Sequence, residues 1–238
     1  MFREGNKLIQ KYLTTVKDIV FPMYCLGCNV EGSFVCEQCF KTLDLSGVFC
    51  CPVCHAKQPD GVCCEACRPQ SSLDLHIAIT PYQEHSLKGN IIHTLKYSYA
   101  QDILGTCEKI FLHFLSRYKL EADFLIPIPL HKRRYAERGF NQAELLAQII
   151  SNIMHIPLLK PLKRSRHTKQ QAKLNRGGRL TNLANAFEIE ETQKDMIKNK
   201  TIIIVDDVFT TGSTMQECAK VLKENNATQT IGFTIARG

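Results

Sequence analysis

The alternation of apolar and polar positions divides the chain after about residue 70 into short apolar strands and amphipathic helices. Strand patterns occur in "DLHIAITPYQ" (74–83), "DFLIPIPL" (123–130), "KNKTIIIVDD" (198–207) and "TQTIGFTIAR" (228–237). A 3.6-residue apolar period predicts helices in "SLKGNIIHTLKYS" (86–98), "AQDILGTCEKIFLHFLSRY" (100–118), "FNQAELLAQIISNIM" (140–154) and from about 213 to 225. This alternation predicts an α/β fold with a parallel sheet that is covered by helices on both faces.

The chain before this region divides into two further parts. Residues 1–24 have apolar side chains at helical spacing with lysines between them, which predicts an amphipathic helix that packs on the body of the protein. Membrane contact by this helix is the less favoured interpretation. The segment lacks the pattern of a secretory signal, and no apolar run approaches the length of a membrane span. We therefore predict an N-terminal helix (1–24), a cysteine-rich domain (25–70) and an α/β domain (71–238).

Ten of the twelve cysteines lie between Cys25 and Cys67, mostly as C-x-x-C pairs. Two such pairs can complete a tetrahedral shell of four thiolates around one zinc ion, so four pairs predict two structural zinc sites. The predicted ligands are Cys25, Cys28, Cys36, Cys39, Cys51, Cys54, Cys64 and Cys67. Sequential pairing, as in two zinc ribbons, is preferred, while a cross-braced arrangement of the same residues stays open. Cys50 and Cys63 each precede a pair directly, so a ligand could shift by one position. Clustered cysteines without an export signal favour metal over disulfides and a reducing cytoplasm over secretion.

Positive charge is concentrated in one part of the chain. Residues 131–180 contain twelve Lys and Arg against two Glu, a net charge of +10, so the remainder carries −3 of the overall +7. Such an excess of positive charge indicates an anionic partner, either the phosphates of a small ligand or a nucleic-acid backbone. A solvated basic loop is the alternative.

The segment "IIIVDDVFTTGST" (202–214) combines an acidic strand end with the start of a helix. Free amide groups at a helix start bind phosphate, and the hydroxyl groups of this loop add further donors. The predicted phosphate-binding residues are Thr210, Thr211, Gly212, Ser213 and Thr214. Asp206 and Asp207 can only accept hydrogen bonds when ionised, so they suit a sugar diol attached to that phosphate. Together these groups predict a site for a ribose 5-phosphate unit. A P-loop ATPase is excluded because the chain lacks G-x-x-x-x-G-K-[ST]. The simplest alternative is a strand, a turn and a helix cap without a ligand.

These motifs resemble those of the ComF family, competence proteins that join four-cysteine zinc ribbons to a type I phosphoribosyltransferase domain. The resemblance extends from Cys25 to Arg237 and includes the cysteine pairs, "TLKYS" (94–98), "PIPLHKRRYAERGFNQ" (127–142) and the 202–214 segment. It implies a type I phosphoribosyltransferase-like parallel sheet flanked by helices, with a small N-terminal zinc-ribbon domain.

The resemblance also implies roles for individual residues. Asp206 and Asp207 would bind the ribose hydroxyls of phosphoribosyl pyrophosphate (PRPP), and residues 210–214 its 5-phosphate. The loop with His131, Lys132, Arg133 and Arg134 would meet the pyrophosphate, with Mg²⁺ as a helper. A mobile loop over 164–179 would close over the site, with Arg164, Arg166 and Lys169 as candidates to enter it. Transferases that use 6-oxopurines have an aspartate where this chain has Thr210, which disfavours purine salvage of that type. The catalytic residue stays unknown.

Three functions are compatible with these residues. The resemblance favours a PRPP-binding protein that handles incoming single-stranded DNA in natural transformation, beside a competence DNA helicase or another DNA-processing protein. It would act in the cytoplasm, at most peripherally at the inner face of the cytoplasmic membrane, and without stable membrane insertion. The alternatives are an active phosphoribosyltransferase with an unidentified acceptor and a zinc-stabilised adaptor whose sugar-phosphate site is a relict.

Overall fold

The structure, a computed structural model, describes residues 22–97, 100–165 and 186–238. Most of the predicted helix over 1–24 and the loop candidates Arg166 and Lys169 lie outside these ranges. The described strands are β1 (Val48–Phe49), β2 (Leu75–Pro81), β3 (Phe124–Pro127), β4 (Leu162–Arg164), β5 (Phe187–Ile189), β6 (Thr201–Phe209) and β7 (Gln229–Arg237). The described α-helices are α1 (Glu37–Lys41), α2 (Leu87–Tyr97), α3 (Ala100–Leu115), α4 (Lys132–Arg138), α5 (Gln142–Met154) and α6 (Ser213–Glu224).

Five strands form the central sheet in the order β1-β2-β7-β6-β3. Neighbours from β2 to β3 pair in parallel, whereas β1 pairs antiparallel with β2 at the edge. The predicted α/β class and its sheet flanked by helices are therefore confirmed, with one antiparallel edge strand that was not predicted. β1 comes from the cysteine-rich segment, so this segment contributes directly to the main sheet.

Both faces of the sheet are covered, since the side chains on both sides of β6 are buried. Ile203 and Val205 pack into a core with residues of α2, α3 and α5, while Ile202 and Ile204 pack into a second core with residues of α6 and β5. Successive side chains of a strand point to opposite faces, so a continuous apolar run is what a doubly covered strand requires. Of the helices that the structure describes, none combines the length and apolar character needed to cross a bilayer.

Several elements were not predicted. α4 occupies the segment predicted as a loop from His131 to Arg134, and His131 caps it by accepting a hydrogen bond from Arg133 N at 3.2 Å. β4 and β5 form a separate antiparallel pair, and a 3₁₀ helix covers Glu191–Ile197. The remaining described 3₁₀ turns, Pro59–Gly61 and Arg68–Gln70, lie in the cysteine-rich segment.

Candidate functional site

A cavity of about 280 Å³ opens at the carboxyl edge of the sheet, where ligands bind in folds of this type. Four kinds of groups line it: carboxylates, hydroxyl and amide groups of a helix start, cationic side chains, and aromatic rings. Its main polar lining residues are Lys96, Arg134, Arg138, Gln142, Arg164, Asp206, Asp207, Thr210, Thr211, Ser213 and Thr214. The predicted carboxylate pair and the predicted phosphate loop therefore line the same cavity.

The two carboxylates lie on opposite sides of β6, as alternation along a strand requires. Asp207 is 4% exposed, and its Oδ2 forms an ion pair with Lys96 Nζ of α2 at 2.8 Å. Asp206 lies on the other side, where its charge interacts with Arg164 of β4. Its Oδ1 accepts a hydrogen bond from Asp207 N at 2.9 Å. A ligand at this edge can therefore contact one acid from each side of the strand.

Lys96 is a site residue that the sequence analysis missed. Desolvation alone would lower the pKa of this amine, but the neighbouring charge and hydrogen bond of Asp207 outweigh it and raise the pKa. Lys96 thus stays charged beside the Asp207 side chain. It lies in "TLKYS", and the one sequence feature that could have indicated its role is that it is a lysine within a largely apolar helix.

Asp206 has the opposite electrostatic environment. Burial, and next the negative charge of Asp207, raise the pKa of the Asp206 carboxyl to about 8. The group therefore gains from any ligand that donates hydrogen bonds to its ionised form. Shifts of this kind are common at functional sites, because a carboxyl group that binds a ligand is held away from water.

The predicted phosphate loop, residues 210–214, begins where β6 ends. Gly212 is the N-cap of α6 and has φ 72°. Glycine has no side chain that could accept a hydrogen bond from the first amide groups of the helix, and these groups line the cavity. A Cβ atom at this position would overlap the Phe209 ring, so glycine is required for space as well as for conformation. Thr211 Oγ1 and Ser213 Oγ lie 2.9 Å apart and order the hydroxyl groups.

The four predicted pyrophosphate residues lie on α4 or directly before it, and they fall into two groups: Arg134 lines the cavity, whereas the other three do not. Arg134 lines the cavity and so does Arg138, four residues later on the same helix face. Arg138 bonds to Gln142 Oε1 and lies 5.3 Å from the centre of the Tyr97 ring. Lys132 and Arg133 are exposed and do not line the cavity, and His131 serves as the helix cap.

Arg164 is the described member of the predicted mobile-loop candidates, and it lies in β4 rather than in a loop. Its guanidinium packs 5.3 Å from the Phe187 ring centre and lines the cavity. Burial, and next the charge of Arg134, lower its pKa. The cavity lining thus includes the three cationic side chains of Arg134, Arg138 and Arg164. Asn141 caps α5 by accepting from Ala143 N, so its role in "RGFNQ" is structural.

The eight predicted metal ligands gather in two clusters. Cys25, Cys28, Cys36 and Cys39 form one, and Cys51, Cys54, Cys64 and Cys67 form the other, with the sulfur atoms of each set within 4.8 Å of one another. This is the sequential arrangement. The Sγ atoms of Cys28 and Cys36 lie 3.6 Å apart and those of Cys54 and Cys64 3.7 Å apart. A tetrahedron with metal–sulfur bonds of about 2.3 Å has edges of about 3.8 Å, so four thiolates around zinc fit both clusters.

Backbone amides prepare each cluster for negative charge. Cys36 N donates to Cys25 Sγ at 3.4 Å, and Val53 N donates to Cys51 Sγ at 3.5 Å. Burial alone would raise the pKa of both thiols, but these and other amide hydrogen bonds lower the pKa of Cys25 and of Cys51 to about 6. Hydrogen bonds that the thiols of Cys39 and Cys67 donate to neighbouring sulfur atoms, first those of Cys25 and Cys64 respectively, raise the pKa of Cys39 and of Cys67 to about 12. A divalent cation would favour the thiolate form of all four sulfur atoms.

Comparison with known proteins agrees with this geometry. The family described as phosphoribosyl transferase domain matches residues 140–236. DNA utilization protein YhgH of Escherichia coli O157:H7 is 32% identical over 224 residues, which cover 88% of this chain and 94% of the relative. Competence protein ComFC of Bacillus subtilis is 29% identical over 210 residues, covering 85% and 84%. Competence protein F of Haemophilus influenzae is 41% identical over 103 residues, covering 43% and 44%. The chain therefore belongs to the ComF family of competence and DNA utilization proteins that carry a phosphoribosyltransferase domain.

Proposed function

We propose that this protein binds PRPP in the cavity at the carboxyl edge of the sheet. The observation that carries the proposal is the meeting of three complementary surfaces in one cavity of about 280 Å³. Asp206 and Asp207 accept hydrogen bonds from the ribose hydroxyls, and residues 210–214 bind the 5-phosphate. Arg134, rather than all of His131 to Arg134, faces the pyrophosphate together with Arg138 and Arg164.

Two metals accompany this proposal. Zn²⁺ in each cysteine cluster would hold the N-terminal hairpins, since an all-thiolate shell leaves no open coordination position. Mg²⁺ would enter with PRPP, because this ion usually binds through substrate phosphates and retains several waters. Lys96 would hold the Asp207 side chain in place for the sugar through their ion pair, and the arginines would neutralise the remaining phosphate charge.

Calorimetry with zinc-loaded protein tests PRPP binding. PRPP with saturating Mg²⁺ is titrated into the wild type, into Asp206→Asn and into Asp195→Asn, an exposed acid that pairs with Lys198 before β6. We expect binding in the wild type and in Asp195→Asn, and, at about pH 9, where Asp206 is mostly ionised before binding, an affinity at least about tenfold weaker in Asp206→Asn, since a charged hydrogen bond contributes about 1.5–3 kcal/mol. Ribose 5-phosphate and pyrophosphate titrations separate the two halves of the site. The proposal would be refuted if PRPP gave no binding heat with the wild-type protein and did not compete with ribose 5-phosphate or pyrophosphate.

We further propose that the protein handles single-stranded DNA during natural transformation, in the cytoplasm and beside other DNA-processing proteins. The names of its relatives support a role in competence or DNA use. The exposed face of α4 supports the contact with DNA: Lys132 and Tyr135 are three residues apart, and Tyr135 is 51% exposed. A cation for the backbone and a ring for base stacking are the elements of single-strand binding.

Fluorescence anisotropy with a labelled oligonucleotide tests this contact. We expect Lys132→Gln with Tyr135→Ala to weaken binding and to reduce the slope of log affinity against log salt by about 0.7, the contribution of one phosphate contact in a single strand. Lys119→Gln, an exposed lysine before β3, is the matched control. PRPP affinity should not change in the double variant. Wild-type binding that is independent of salt would contradict the proposal.

The two alternatives have distinct outcomes. Pyrophosphate release from PRPP with a base or nucleic-acid acceptor would identify an active phosphoribosyltransferase. An unchanged transformation frequency in a strain with folded Asp206→Asn protein would favour the adaptor whose site is a relict.

A further inference from the structure

Arg237, the penultimate residue, connects the second cysteine cluster to the sheet edge that carries the cavity. It is 5% exposed, and its guanidinium donates to the carbonyl oxygen of Cys50 at 3.1 Å and to that of Cys51 at 2.7 Å. Its Nη2 also lies 3.2 Å from His55 Nδ1. Cys51 is a member of the cluster, so Arg237 binds the backbone of one of its hairpins directly.

The same guanidinium reaches the phosphate loop through an aromatic ring. It lies 4.8 Å from the centre of the Phe209 ring, and this ring fills the space beside Gly212. The backbone reinforces the contact, because Phe209 pairs with Arg237 across β6 and β7 and Gly238 N donates to Phe209 O at 2.9 Å. A continuous series of contacts therefore runs from the cysteine hairpin through Arg237 and Phe209 to Gly212.

His76 completes the environment of this guanidinium. The imidazole is fully buried, and its ring centre lies 3.8 Å from that of Phe209. Its Nδ1 lies 3.0 Å from Arg237 Nη1. Burial, and next the charge of Arg237, lower the pKa of His76 well below its usual value. The neutral ring can therefore accept from Arg237 at Nδ1 and donate at Nε2 to Thr234 Oγ1, 3.1 Å away. Arg237 is thus held from both sides in one orientation.

A second, independent contact connects the cysteine-rich segment to the helix that follows the phosphate loop. Gln216 lies in the first turn of α6, and its Oε1 accepts from Ser72 N at 2.8 Å and from Leu73 N at 3.2 Å. Its Nε2 donates to Ser71 Oγ at 2.9 Å. Residues 71–73 follow the last cysteine of the second cluster by a single 3₁₀ turn. The loop at 210–214 therefore has a contact with the second cluster's segment on each side.

We propose that Arg237 is a positioning residue through which metal binding in the second cysteine cluster and phosphate binding at residues 210–214 stabilise each other. The inference rests on the proposed PRPP site and identifies what keeps its phosphate loop in the binding conformation. Four thiolates and one divalent cation carry a net charge of −2, which the +1 charge of a buried guanidinium on the adjoining carbonyls offsets in part. Without the metal, the hairpin that presents the Cys50 and Cys51 carbonyls is no longer held by coordination bonds. Arg237 then loses these two carbonyl oxygens as hydrogen-bond acceptors. Because coupling between binding sites is reciprocal, PRPP must in turn strengthen metal retention.

The test uses the zinc-loaded full chain with Arg237→Gln, Arg237→Lys and the control Arg117→Gln, an exposed arginine after α3. Coupling between two binding sites typically changes affinity by about 5–150-fold, so we expect PRPP to bind about tenfold more weakly to Arg237→Gln, in which this coupling is lost. Arg237→Lys should recover part of this loss, and Arg117→Gln should bind as the wild type does.

Thiol alkylation followed by mass spectrometry reports each cluster separately. In the wild type, PRPP should slow alkylation of Cys51, Cys54, Cys64 and Cys67. Arg237→Gln should remove this protection and accelerate alkylation of the second cluster alone. Equal PRPP affinity in the wild type and Arg237→Gln, with unchanged protection, would overturn the proposal.

Hydrogen exchange of the 209–214 amides distinguishes failure of this inference from failure of the proposed function. If the wild type does not bind PRPP, the proposed function fails, yet faster exchange of these amides in Arg237→Gln than in Arg117→Gln still supports the coupling. Equal exchange in the two variants overturns it. Gln216→Ala provides the same comparison through the second contact if Arg237→Gln does not fold.

Discussion

Ligand binding at this site should release a proton from Asp206, and Asp206→Asn should abolish that release. Burial, and next the charge of Asp207, raise the pKa of Asp206 to about 8 in the free protein. At pH 7 about nine-tenths of the molecules therefore carry a protonated Asp206. The hydroxyl groups of a ribose donate hydrogen bonds, so the bound state favours the carboxylate. PRPP should thus displace about 0.9 proton from this group at pH 7.

The sign of the pH dependence follows from the direction of the shift. A raised pKa means that the free folded protein favours protonated Asp206, so its contribution to stability is present below about pH 4 and is lost as the pH rises through about 8. Binding favours the ionised form, so affinity increases over the same interval. With a pKa of about 8, a ligand that requires the carboxylate gains about 50-fold in affinity from pH 6 to pH 8.

Calorimetry at pH 7 in buffers with different ionisation enthalpies measures the number of protons released. PRPP exchanges protons of its own phosphates, but this contribution is common to all variants, so the difference between wild type and Asp206→Asn isolates the carboxyl group. Asp195→Asn should match the wild type. Equal proton release in the wild type and Asp206→Asn, together with the same pH profile, would refute the reasoning that ionised Asp206 contacts the ligand.

Three further changes test the structural basis of the site. Lys96→Gln removes the counter-ion of buried Asp207 and should lower the free energy of unfolding in urea by roughly 1–3 kcal/mol, while an exposed change such as Lys119→Gln should have almost no effect. Gly212→Ala forces a Cβ against Phe209 at positive φ and should cost about 1–3 kcal/mol and abolish PRPP binding in calorimetry. Gly105→Ala, at an open position in α3, should stabilise by about 0.5–1 kcal/mol. Cys39→Ser should reduce the zinc content, measured by elemental mass spectrometry, from about two ions per chain to about one, and Cys107→Ser should leave it unchanged. Two ions retained in Cys39→Ser would contradict the assignment of the first cluster.

The sequence predicted those parts of the fold that depend on local periodicity. β6 and β7 were found because apolar runs bounded by acids or by turn residues match strands that are buried on both faces. α4 was missed because "KRRYAER" has no apolar stripe, and no residue of this helix is buried. β1 was missed because two residues carry no detectable period. Its pairing with β2 is decided by the surrounding structure.

The candidate site was predicted as far as its residues are close together in the chain. Residues 206–214 form one continuous segment, so their shared location followed from strand and helix signals alone. Lys96 and Arg237 were missed because their roles depend on distant partners: Arg237 and Cys50 are 187 positions apart. A lysine in an amphipathic helix usually faces water, and only the packing of α2 against β6 shows that this one holds Asp207.

The contacts of the two cysteine clusters indicate why these hairpins and the cavity form one unit. The first cluster's segment bonds to α2, where Asn90 Nδ2 donates to Leu26 O at 3.1 Å, and α2 also carries Lys96, the partner of Asp207. The second cluster's segment reaches the phosphate loop through Arg237. Each hairpin thus supports a different part of the proposed ligand site, one through Lys96 the side chain of Asp207 and the other the loop at 210–214. A ligand that contacts both parts must bind most tightly when both clusters are intact, because each ordered hairpin reduces the conformational freedom that binding would otherwise have to remove.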